Sequence, residues 1–285
     1  MIRTSTTVFK RRLAALSLIA LTAGAISAPQ TPALGASGAP RINARSAAIL
    51  DSKTGKILFA KNAHLRLPPA STTKLMTVLL ALETLGWEEE VVISRRAADA
   101  PSSKAGLKTG EKYKAKYLIL ASLVSSSNDA AVALAEACAG TEEGFAELMN
   151  QRALSLGMND THFINATGLP DRKKKQYSTA YDLALLVRKA SKDRRIDQMM
   201  AVTSAYILST DGRATLIRSH NKMLWRTPKF VKGKTGWTFA SRHTFAGTNY
   251  EPAKKFTFAL LSSKEPWMDI ERLANFGVAL AASRR

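Results

Sequence analysis

Segments with a strand pattern lie near both ends of this chain, and segments with a helical pattern lie between them. Short apolar runs at 47–50 and 57–60, separated by turn-forming residues, predict a β-hairpin. Strand-like residues at 235–248 and 255–262 precede a final helix at 269–282. This order predicts an α+β fold in which one antiparallel β-sheet carries both terminal segments. The sheet is flanked by helices, and a helical cluster is inserted between its two halves.

The helical cluster is predicted from apolar residues at spacings of three and four positions. Pro68 and Pro69 prevent a helix from entering the first member from its N-terminal side, so Ser71 lies at or near its start, and it ends near Gly86. The apolar face of this first helix consists of Leu75, Val78, Leu79, Leu82 and Leu85. Further helices are predicted at 117–124, 130–139, 142–156 and 179–190.

Ser71 and Lys74 form a Ser-x-x-Lys motif at the start of the first helix, where a spacing of three places both side chains on one face. A serine hydroxyl becomes a strong nucleophile when a neighbouring base removes its proton. A lysine can be that base if burial and nearby positive charge lower its pKa. Backbone N–H groups at a helix start also stabilise developing negative charge. The motif alone has a simpler interpretation, a serine N-cap followed by an ordinary lysine.

Two further motifs follow in a fixed order. Ser126-x-Asn128 lies in the break between two predicted helices, and Lys234-Thr235-Gly236 lies at the start of a predicted strand. An earlier Lys-Thr-Gly at 108–110 precedes Ser126 and falls in a turn, so we interpret it as structural. The trio of Ser-x-x-Lys, Ser-x-Asn and Lys-Thr-Gly in this order is the signature of penicillin-binding proteins and class A β-lactamases.

From about Ala44 to Phe276 the chain resembles the low-molecular-mass penicillin-binding proteins of the serine D-Ala-D-Ala carboxypeptidase family. The segments that carry the resemblance follow the family's order and are Thr54–Leu58, Pro69–Met76, Ser127–Ala130, Thr167–Pro170 and Lys234–Gly236. The resemblance implies a penicilloyl-serine transferase fold, like that of β-lactamases, with the active site between the sheet and the helical cluster. It also implies peptidoglycan stem peptides as substrates and β-lactam antibiotics as covalent inhibitors.

The resemblance assigns catalytic roles to residues of the three motifs. Ser71 is the expected nucleophile, which attacks the carbonyl between two D-alanines and forms an acyl-enzyme, and Lys74 is its expected base. Ser126 is expected to relay a proton to the leaving amine, and Asn128 to bind the substrate amide and hold Lys74. The backbone N–H groups of Ser71 and Trp237 form the expected oxyanion hole.

The resemblance also implies a set of substrate-binding residues on the strands that follow. Lys234 is expected to supply positive potential near the substrate carboxylate, and the Thr235 hydroxyl to contact it. Gly236 and Trp237 continue the same strand. An arginine that usually grips the carboxylate from the following strand is replaced in our alignment by Lys255, which keeps the charge but not the bidentate fork.

The motifs leave several functions open. A carboxypeptidase and an endopeptidase that cuts D-Ala–diaminopimelate cross-links use the same catalytic residues. A class A β-lactamase needs a deacylating glutamate, and the expected loop 161–176 contains none. A non-catalytic peptidoglycan-binding protein is the alternative from another class, and the presence of every catalytic residue argues against it. The sequence ends one helix after the last predicted strand, so no C-terminal β domain is expected.

Residues 1–28 have the pattern of a secretory signal peptide. A basic segment with four Lys and Arg residues is followed by a short apolar stretch at 13–26 and by small residues. About fourteen apolar residues are short for a membrane span, and retention as an uncleaved anchor is the alternative. Residues 29–43 are expected to form a flexible leader, and 44–285 a single DD-peptidase domain. The protein is therefore expected in the periplasm or outside the cell, associated with the wall.

The chain is strongly basic, with a formal net charge of +20. Removal of residues 1–28 takes away Arg3, Lys10, Arg11 and Arg12 and leaves about +16. This charge suggests an anionic wall polymer or membrane surface as a partner. Nucleic acid is disfavoured because the charge is scattered and has no recognition motif beside it. The histidines are isolated and Cys138 is the single cysteine, so neither a metal nor a cofactor is predicted.

Overall fold

The structure is a computed structural model, and it describes residues 38–226, 231–251 and 255–282. The predicted signal peptide and most of the predicted leader lie outside the described residues. The helices are α1 (Lys74–Thr84), α2 (Arg95–Ala98), α3 (Ala115–Val124), α4 (Asn128–Ala139), α5 (Glu142–Ser155), α6 (Ala180–Ala190), α7 (Arg194–Met199), α8 (Met223–Arg226) and α9 (Pro266–Ala282). The strands are β1 (Ser46–Asp51), β2 (Ile57–Lys61), β3 (Glu90–Val92), β4 (Lys112–Lys114), β5 (Ser204–Leu208), β6 (Ala214–Arg218), β7 (Val231–Thr238), β8 (Arg242–Asn249) and β9 (Phe256–Ser263). In the described ranges no helix combines the length and apolarity needed to cross a bilayer.

Five strands form one antiparallel sheet in the order β2-β1-β9-β8-β7. The N-terminal hairpin β1–β2 pairs through β1 with β9, near the other end of the chain. This pairing confirms the predicted α+β fold, in which both terminal segments share a sheet and the helical cluster lies between them in sequence. Strand β7 occupies one edge, so only one of its sides is paired with another strand.

Side chains of the sheet alternate between two faces, and β1, β8 and β9 each contribute to two hydrophobic cores. In β1, Ala48 and Leu50 belong to the core under the helical cluster, whereas Ala47 and Ile49 belong to the core under α9. Helix α6 packs against β1 and β9 on the first face, and α9 packs against β8 and β9 on the second. Helices therefore cover both faces, which leaves the edge strand β7 as a place where the sheet can meet a ligand.

The stretch 235–248 contains two strands, which corrects the prediction of one strand-like segment. Strand β7 ends at Thr238 and β8 begins at Arg242, with a tight turn between them. The Thr238 N–H donates to Ser241 Oγ (2.9 Å), and the Ser241 N–H donates to Thr238 Oγ1 (3.0 Å). Hydroxyl side chains thus close this turn in place of the Gly, Asn or Pro that usually marks one. The Lys-Thr-Gly motif lies within β7, which begins at Val231, and not at the start of a strand.

A 3₁₀ turn, Ala70–Thr73, precedes α1 and carries Ser71, as predicted for a serine at the helix start. Two glycines from distant segments lie against this turn. A Cβ on Gly236 of β7 would come within 2.7 Å of the Ser71 backbone nitrogen. Gly168, in the loop between α5 and α6, has a φ of +82°, and a Cβ there would overlap the carbonyl group of Ala70. The absence of both side chains lets the strand and the loop hold Ser71 from two sides.

Replacement of Gly168 by alanine tests the importance of this close approach. Gly157→Ala is the matched control, because Gly157 also has a positive φ (+77°) but no atom within 4 Å of the added Cβ. The control should lose about 1–2 kcal/mol of unfolding free energy from backbone strain alone. Gly168→Ala should lose about 2–5 kcal/mol, since steric overlap adds to the strain. Urea unfolding measures both values, and equal losses would show that the contact with Ala70 is unimportant.

Candidate active site

Ser71 and Lys74 are in hydrogen-bond contact at the start of α1. Lys74 is fully buried, and its Nζ lies 3.2 Å from Ser71 Oγ. The same Nζ donates to Asn128 Oδ1 (2.6 Å) and to the Thr167 carbonyl oxygen (2.8 Å). These acceptors come from the start of α4 and from the loop between α5 and α6. The amine is therefore held in one orientation, with Ser71 as one of its three partners.

The environment of Lys74 favours its neutral form. Burial lowers the pKa of Lys74 well below its ordinary value of 10.5, and the positive charge of Lys234 lowers it further. Asp129 and Glu142 act in the opposite direction with smaller effect. An uncharged amine within reach of a hydroxyl can accept its proton. The pair therefore has the arrangement of a general base and a serine nucleophile.

Ser126 and Asn128 occupy the break between α3 and α4, as predicted. Ser126 is buried and has a φ of +60°, a left-handed conformation that is unusual for serine. Hydroxyls of Ser125 and Ser127 are 2.7 Å apart and hold the break together. Asn128 is fixed on both sides of its amide, since Oδ1 accepts from Lys74 and Nδ2 donates to the Pro101 carbonyl oxygen (2.8 Å). A strained, well-packed backbone of this kind is often found where a side chain is positioned for function.

Lys234 is the second buried lysine of the site. Only 1% of it is exposed, and burial lowers its pKa to about 7. Its Nζ donates to the Thr235 carbonyl oxygen (2.8 Å). Gly236 follows and lies against the Ser71 nitrogen, so β7 runs directly beside the nucleophile. The Lys-Thr-Gly motif thus supplies a cation and a strand backbone next to Ser71.

Trp237 continues β7 beyond Gly236, and half of its surface is exposed. Its ring lies 4.9 Å from that of Phe239 and 6.3 Å from that of His243, between ring centroids. The position one residue after Gly236 keeps the Trp237 backbone close to the Ser71 turn. The assignment of the Trp237 and Ser71 N–H groups to an oxyanion hole stays a prediction.

Lys255 does not join the other residues, which corrects its assignment to substrate binding. Its Nζ lies 3.2 Å from Asp197 Oδ1, and it precedes β9 at the end of the sheet where Asn249 closes β8. Gly236 is paired with Thr244, five residues away from Asn249 along β8, which is about 16 Å at 3.3 Å per residue. An alignment by sequence separation alone could not tell which end of β9 faces the site.

The cation at the opposite end of β9 is Lys264. It follows Ser263, which is paired with His243, and His243 is paired with Trp237. Lys264 is exposed and lies at the end of the sheet nearer Gly236. It lies two residues beyond the strand predicted at 255–262 and was not assigned to the site.

Two further residues of the site had no signal in the sequence. The Thr167 carbonyl group binds Lys74 through the backbone, which no residue pattern reveals. His220 was interpreted as isolated, but its pKa is lowered by partial desolvation and then by the positive charges of Lys234 and Lys74. Folding therefore brings an imidazole near both lysines. Among the described residues no three His, Cys, Asp or Glu side chains are grouped as a metal site.

Comparison with known proteins identifies the family of this fold and site. Residues 34–264 match the family model of D-alanyl-D-alanine carboxypeptidases, Peptidase_S11. The chain belongs to the D-alanyl-D-alanine carboxypeptidase family. The family resemblance that the three motifs predict is thereby confirmed.

Relatives in this family come from several bacteria. D-alanyl-D-alanine carboxypeptidase DacF of Bacillus subtilis is 34% identical over 191 residues, which are 65% of this chain and 49% of DacF. DacB2 of Mycobacterium tuberculosis is 34% identical over 194 residues, which are 68% of this chain and 66% of DacB2. A D-alanyl-D-alanine endopeptidase of Escherichia coli is 31% identical over 192 residues, which are 65% of this chain and 60% of the endopeptidase. The chain spans about half to two thirds of the length of these curated relatives.

A solved structure has the same architecture. The D-alanyl-D-alanine carboxypeptidase from Mycobacterium tuberculosis superimposes with a TM-score of 0.79 at 31% identity. The match covers 85% of this chain and 95% of that one. The sheet and helical cluster described above are therefore those of the family.

The pKa of Lys234 predicts how stability depends on pH. It is about 7 in the folded protein and near 10.5 in the unfolded chain, so the unfolded state binds more protons between these values. The free energy of unfolding therefore rises with pH through this window. Lys234→Met keeps an aliphatic side chain but does not titrate. From pH 7 to pH 10 the free energy of unfolding of this variant should therefore rise by less than that of the wild type, and the difference should be up to about 4 kcal/mol. Urea unfolding of the two proteins measures the difference.

Lys173→Met is the control for this measurement. Lys173 is exposed in the folded protein, so its removal should leave the pH dependence of the unfolding free energy unchanged. Parallel curves for wild type and Lys234→Met would contradict the lowered pKa of Lys234.

Proposed function

We propose that the protein is a serine DD-peptidase that removes the terminal D-alanine from peptidoglycan stem peptides through an acyl-enzyme on Ser71. The proposal rests on the position of the Lys74 amine. This amine is buried, its pKa is lowered, and it lies 3.2 Å from the Ser71 hydroxyl oxygen. Family membership supports the same activity, since the curated relatives named above are D-alanyl-D-alanine peptidases.

Acylation begins when Lys74 accepts the Ser71 proton. Ser71 Oγ then attacks the carbonyl carbon between the two D-alanines, and N–H groups at the helix start and on β7 stabilise the oxyanion. The C–N bond breaks as the leaving D-alanine amine takes up a proton through Ser126. Asn128 keeps Lys74 oriented throughout, since its Oδ1 accepts from the amine.

Substrate orientation follows from the charge on β7. The free carboxylate of the terminal D-alanine binds near Lys234 and the Thr235 hydroxyl, because Lys234 is the buried cation next to the nucleophile. The substrate backbone adds to the open edge of β7 as a further strand. This arrangement presents the scissile carbonyl beside Gly236, which contacts the Ser71 nitrogen.

Deacylation by water completes the cycle, with Lys74 again as the base. A β-lactam acylates Ser71 in the same way, and its hydrolysis is slow. Two carboxylates, Asp129 and Glu142, act electrostatically on Lys74. Both already accept hydrogen bonds from other groups. Asp129 accepts backbone N–H groups that include those of Gly106 and Leu107, and Glu142 binds Arg96 and the Ala166 N–H. Neither is available to activate water against a penicilloyl ester.

An endopeptidase that cuts peptide cross-links is the second candidate. It is favoured by the 31% identity with the endopeptidase of Escherichia coli.

The setting of this reaction is the cell wall. Export rests on the signal pattern of residues 1–28, which lies outside the described residues. The basic charge of about +16 that remains without those residues favours contact with anionic wall polymer or membrane headgroups.

Mass spectrometry of purified muropeptides tests the activity. The protein should release one D-alanine from pentapeptide monomers, and Ser71→Ala should release none. Conversion of cross-linked dimers to monomers would identify the endopeptidase instead. If neither substrate gave a Ser71-dependent product, the catalytic proposal would be wrong and a peptidoglycan-binding protein would remain.

Covalent labelling by a fluorescent penicillin tests the role of Lys74. Lys74→Met should lower the acylation rate constant by about a hundred- to ten-thousand-fold, because general base catalysis is lost. The surface variant Lys173→Met should be acylated at the wild-type rate. Unchanged labelling of Lys74→Met would assign the base to another group, and labelling of Ser71→Ala would exclude Ser71 as the nucleophile.

A further inference from the structure

A row of aromatic side chains runs from the turn after β7 across the end of the sheet. Phe239 lies in that turn and is 89% exposed, and Trp237, on β7, is 50% exposed. Their ring centroids are 4.9 Å apart, and the His243 ring lies 6.3 Å from that of Trp237. Single exposed aromatic side chains are common on protein surfaces, but exposed rings in contact with one another often mark a binding surface.

The row continues to the start of α9 through Lys222. The Lys222 Nζ lies 5.9 Å from the centre of the Trp267 ring, and its charge also acts on His243. Strand pairing brings the same segments together, since His243 is opposite Ser263. The Ser263 hydroxyl in turn donates to Asp269, two residues after Trp267. We call the following residues the aromatic strip: Phe239, Trp237, His243, Lys222 and Trp267.

The aromatic strip lies on the face of the sheet that α9 covers. Val231 on β7 and Phe245 on β8 belong to the core under α9. Trp237 is six residues from Val231, and His243 is two residues from Phe245, so alternation places both rings on the same face as that core. Trp237 is half-exposed there, so α9 does not cover this end of the sheet completely.

The position of Phe239 relates the strip to the substrate of the proposed function, on which this inference rests. A peptide that adds to β7 with its terminal carboxylate near Lys234 points its other end toward the turn that holds Phe239. Stem peptides are attached at that end to the glycan strand of peptidoglycan, a polymer of N-acetylated amino sugars. The strip therefore begins on the side of the site from which the sugar polymer approaches.

The strip combines stacking surfaces with hydrogen-bonding groups. Aromatic faces carry partial negative charge, which attracts the C–H groups on the flat side of a sugar ring. Burial lowers the pKa of His243, and the charge of Lys222 lowers it further, so the imidazole is mostly neutral at pH 7. A neutral imidazole both donates and accepts hydrogen bonds, and the Lys222 ammonium donates to hydroxyl and amide oxygens. These groups match the hydroxyl and acetamido groups of N-acetylated sugars.

A glycan fits this strip better than a bilayer surface does. Insertion into a bilayer requires apolar side chains that protrude together from the protein. Of the strip's rings Phe239 is almost fully exposed, whereas Trp237 is half-exposed and His243 and Trp267 are partly covered. A partly covered ring can still stack on a sugar, but it cannot reach deeply into a bilayer.

We propose that the aromatic strip binds the glycan strand of peptidoglycan and thereby brings its stem peptides to Ser71. Successive sugars stack on the aromatic rings, and His243 and Lys222 bind their acetamido and hydroxyl groups. The enzyme then prefers stem peptides attached to a glycan strand over free peptides of the same sequence.

Binding of a chitin hexasaccharide, a peptide-free chain of N-acetylglucosamine, tests the strip. In isothermal titration calorimetry Phe239→Ser and Trp267→Leu should each weaken the affinity about three- to ten-fold, because one stacking surface is lost. Phe239 is exposed, so its replacement leaves the core intact, and leucine at 267 keeps an apolar side chain against the core under α9.

Tyr206→Ser is the matched control for these variants. Tyr206 is also an exposed aromatic residue (62%), but it lies on β5, outside the strip, so its replacement should leave the affinity unchanged. Absence of hexasaccharide binding to the wild type, or full affinity in both strip variants, would overturn the proposal.

Sedimentation with phosphatidylglycerol vesicles tests the other partner that aromatic and cationic side chains can bind. The wild type and both strip variants should sediment with the vesicles to the same extent. If the vesicles bind through Phe239 and Trp267 and the hexasaccharide does not bind, the strip is a membrane contact and the glycan proposal is wrong.

Release of D-alanine separates this inference from the proposed function. Phe239→Ser should cleave a free pentapeptide at the wild-type rate but should have a higher KM for pentapeptides attached to glycan strands. If this variant has the wild-type KM for both substrates, the DD-peptidase activity stands and the strip is wrong. If the wild type cleaves neither substrate but binds the hexasaccharide through the strip, the protein binds glycan and the catalytic proposal is wrong.

Discussion

The Lys74 amine is the group on which the arrangement of this molecule depends. A buried amine without partners is costly, so it must be surrounded by acceptors. The three acceptors come from three parts of the chain: Ser71 from the 3₁₀ turn before α1, Asn128 from the start of α4, and Thr167 from the loop before α6. Satisfying one buried nitrogen therefore requires that these segments meet at one point. The same contacts that stabilise the amine orient it toward the serine hydroxyl.

A second buried lysine makes the cleft electrostatically unusual. Lys234 is almost fully buried, and its charge lowers the pKa of Lys74 beyond the effect of burial alone. Two ammonium groups in one cleft would destabilise the fold, so the structure favours loss of a proton. That loss converts an ordinary lysine into a group that can accept a proton. The lowered pKa of Lys74 and the cost of burying two lysines thus have one origin, as is common where function opposes stability.

The edge strand β7 connects the catalytic residues with the surroundings of the substrate. Gly236 lies against the Ser71 turn, and Lys234 supplies the buried cation. The last residue, Thr238, lines a cavity of about 330 Å³ that Gly168 also lines. On its other side β7 is paired with β8 along its whole length, from Val231 to Thr238. One strand thereby carries the buried Lys234, the glycine that contacts Ser71 and the residue that borders the cavity. The spacing between them follows from the rise of a β-strand.

Local patterns were sufficient for the parts of this protein that depend on neighbours in sequence. The spacing of Ser71 and Lys74 determines that they share a helix face, and the order of strands and helices determined an α+β fold. The hairpin β1–β2 and helices α3 to α6 were also predicted close to their observed bounds. The turn between β7 and β8 was missed because paired hydroxyl groups close it, and such pairs also occur in ordinary strands.

Other features were decided only by the tertiary structure, because strand pairing and packing bring together residues that sequence spacing does not relate. Lys255 pairs with Asp197 at one end of β9, while Lys264 lies at the end nearer the site, and only the register of the sheet distinguishes them. The Thr167 carbonyl group and His220 reach the lysines through folding alone. The cavity beside Ser71 exists because a loop and a strand turn approach each other in space. The sequence by itself determined the reactive pair and the class of fold, since both follow from local geometry. The tertiary structure decided which further groups surround that pair, since those positions depend on the packing of the whole core.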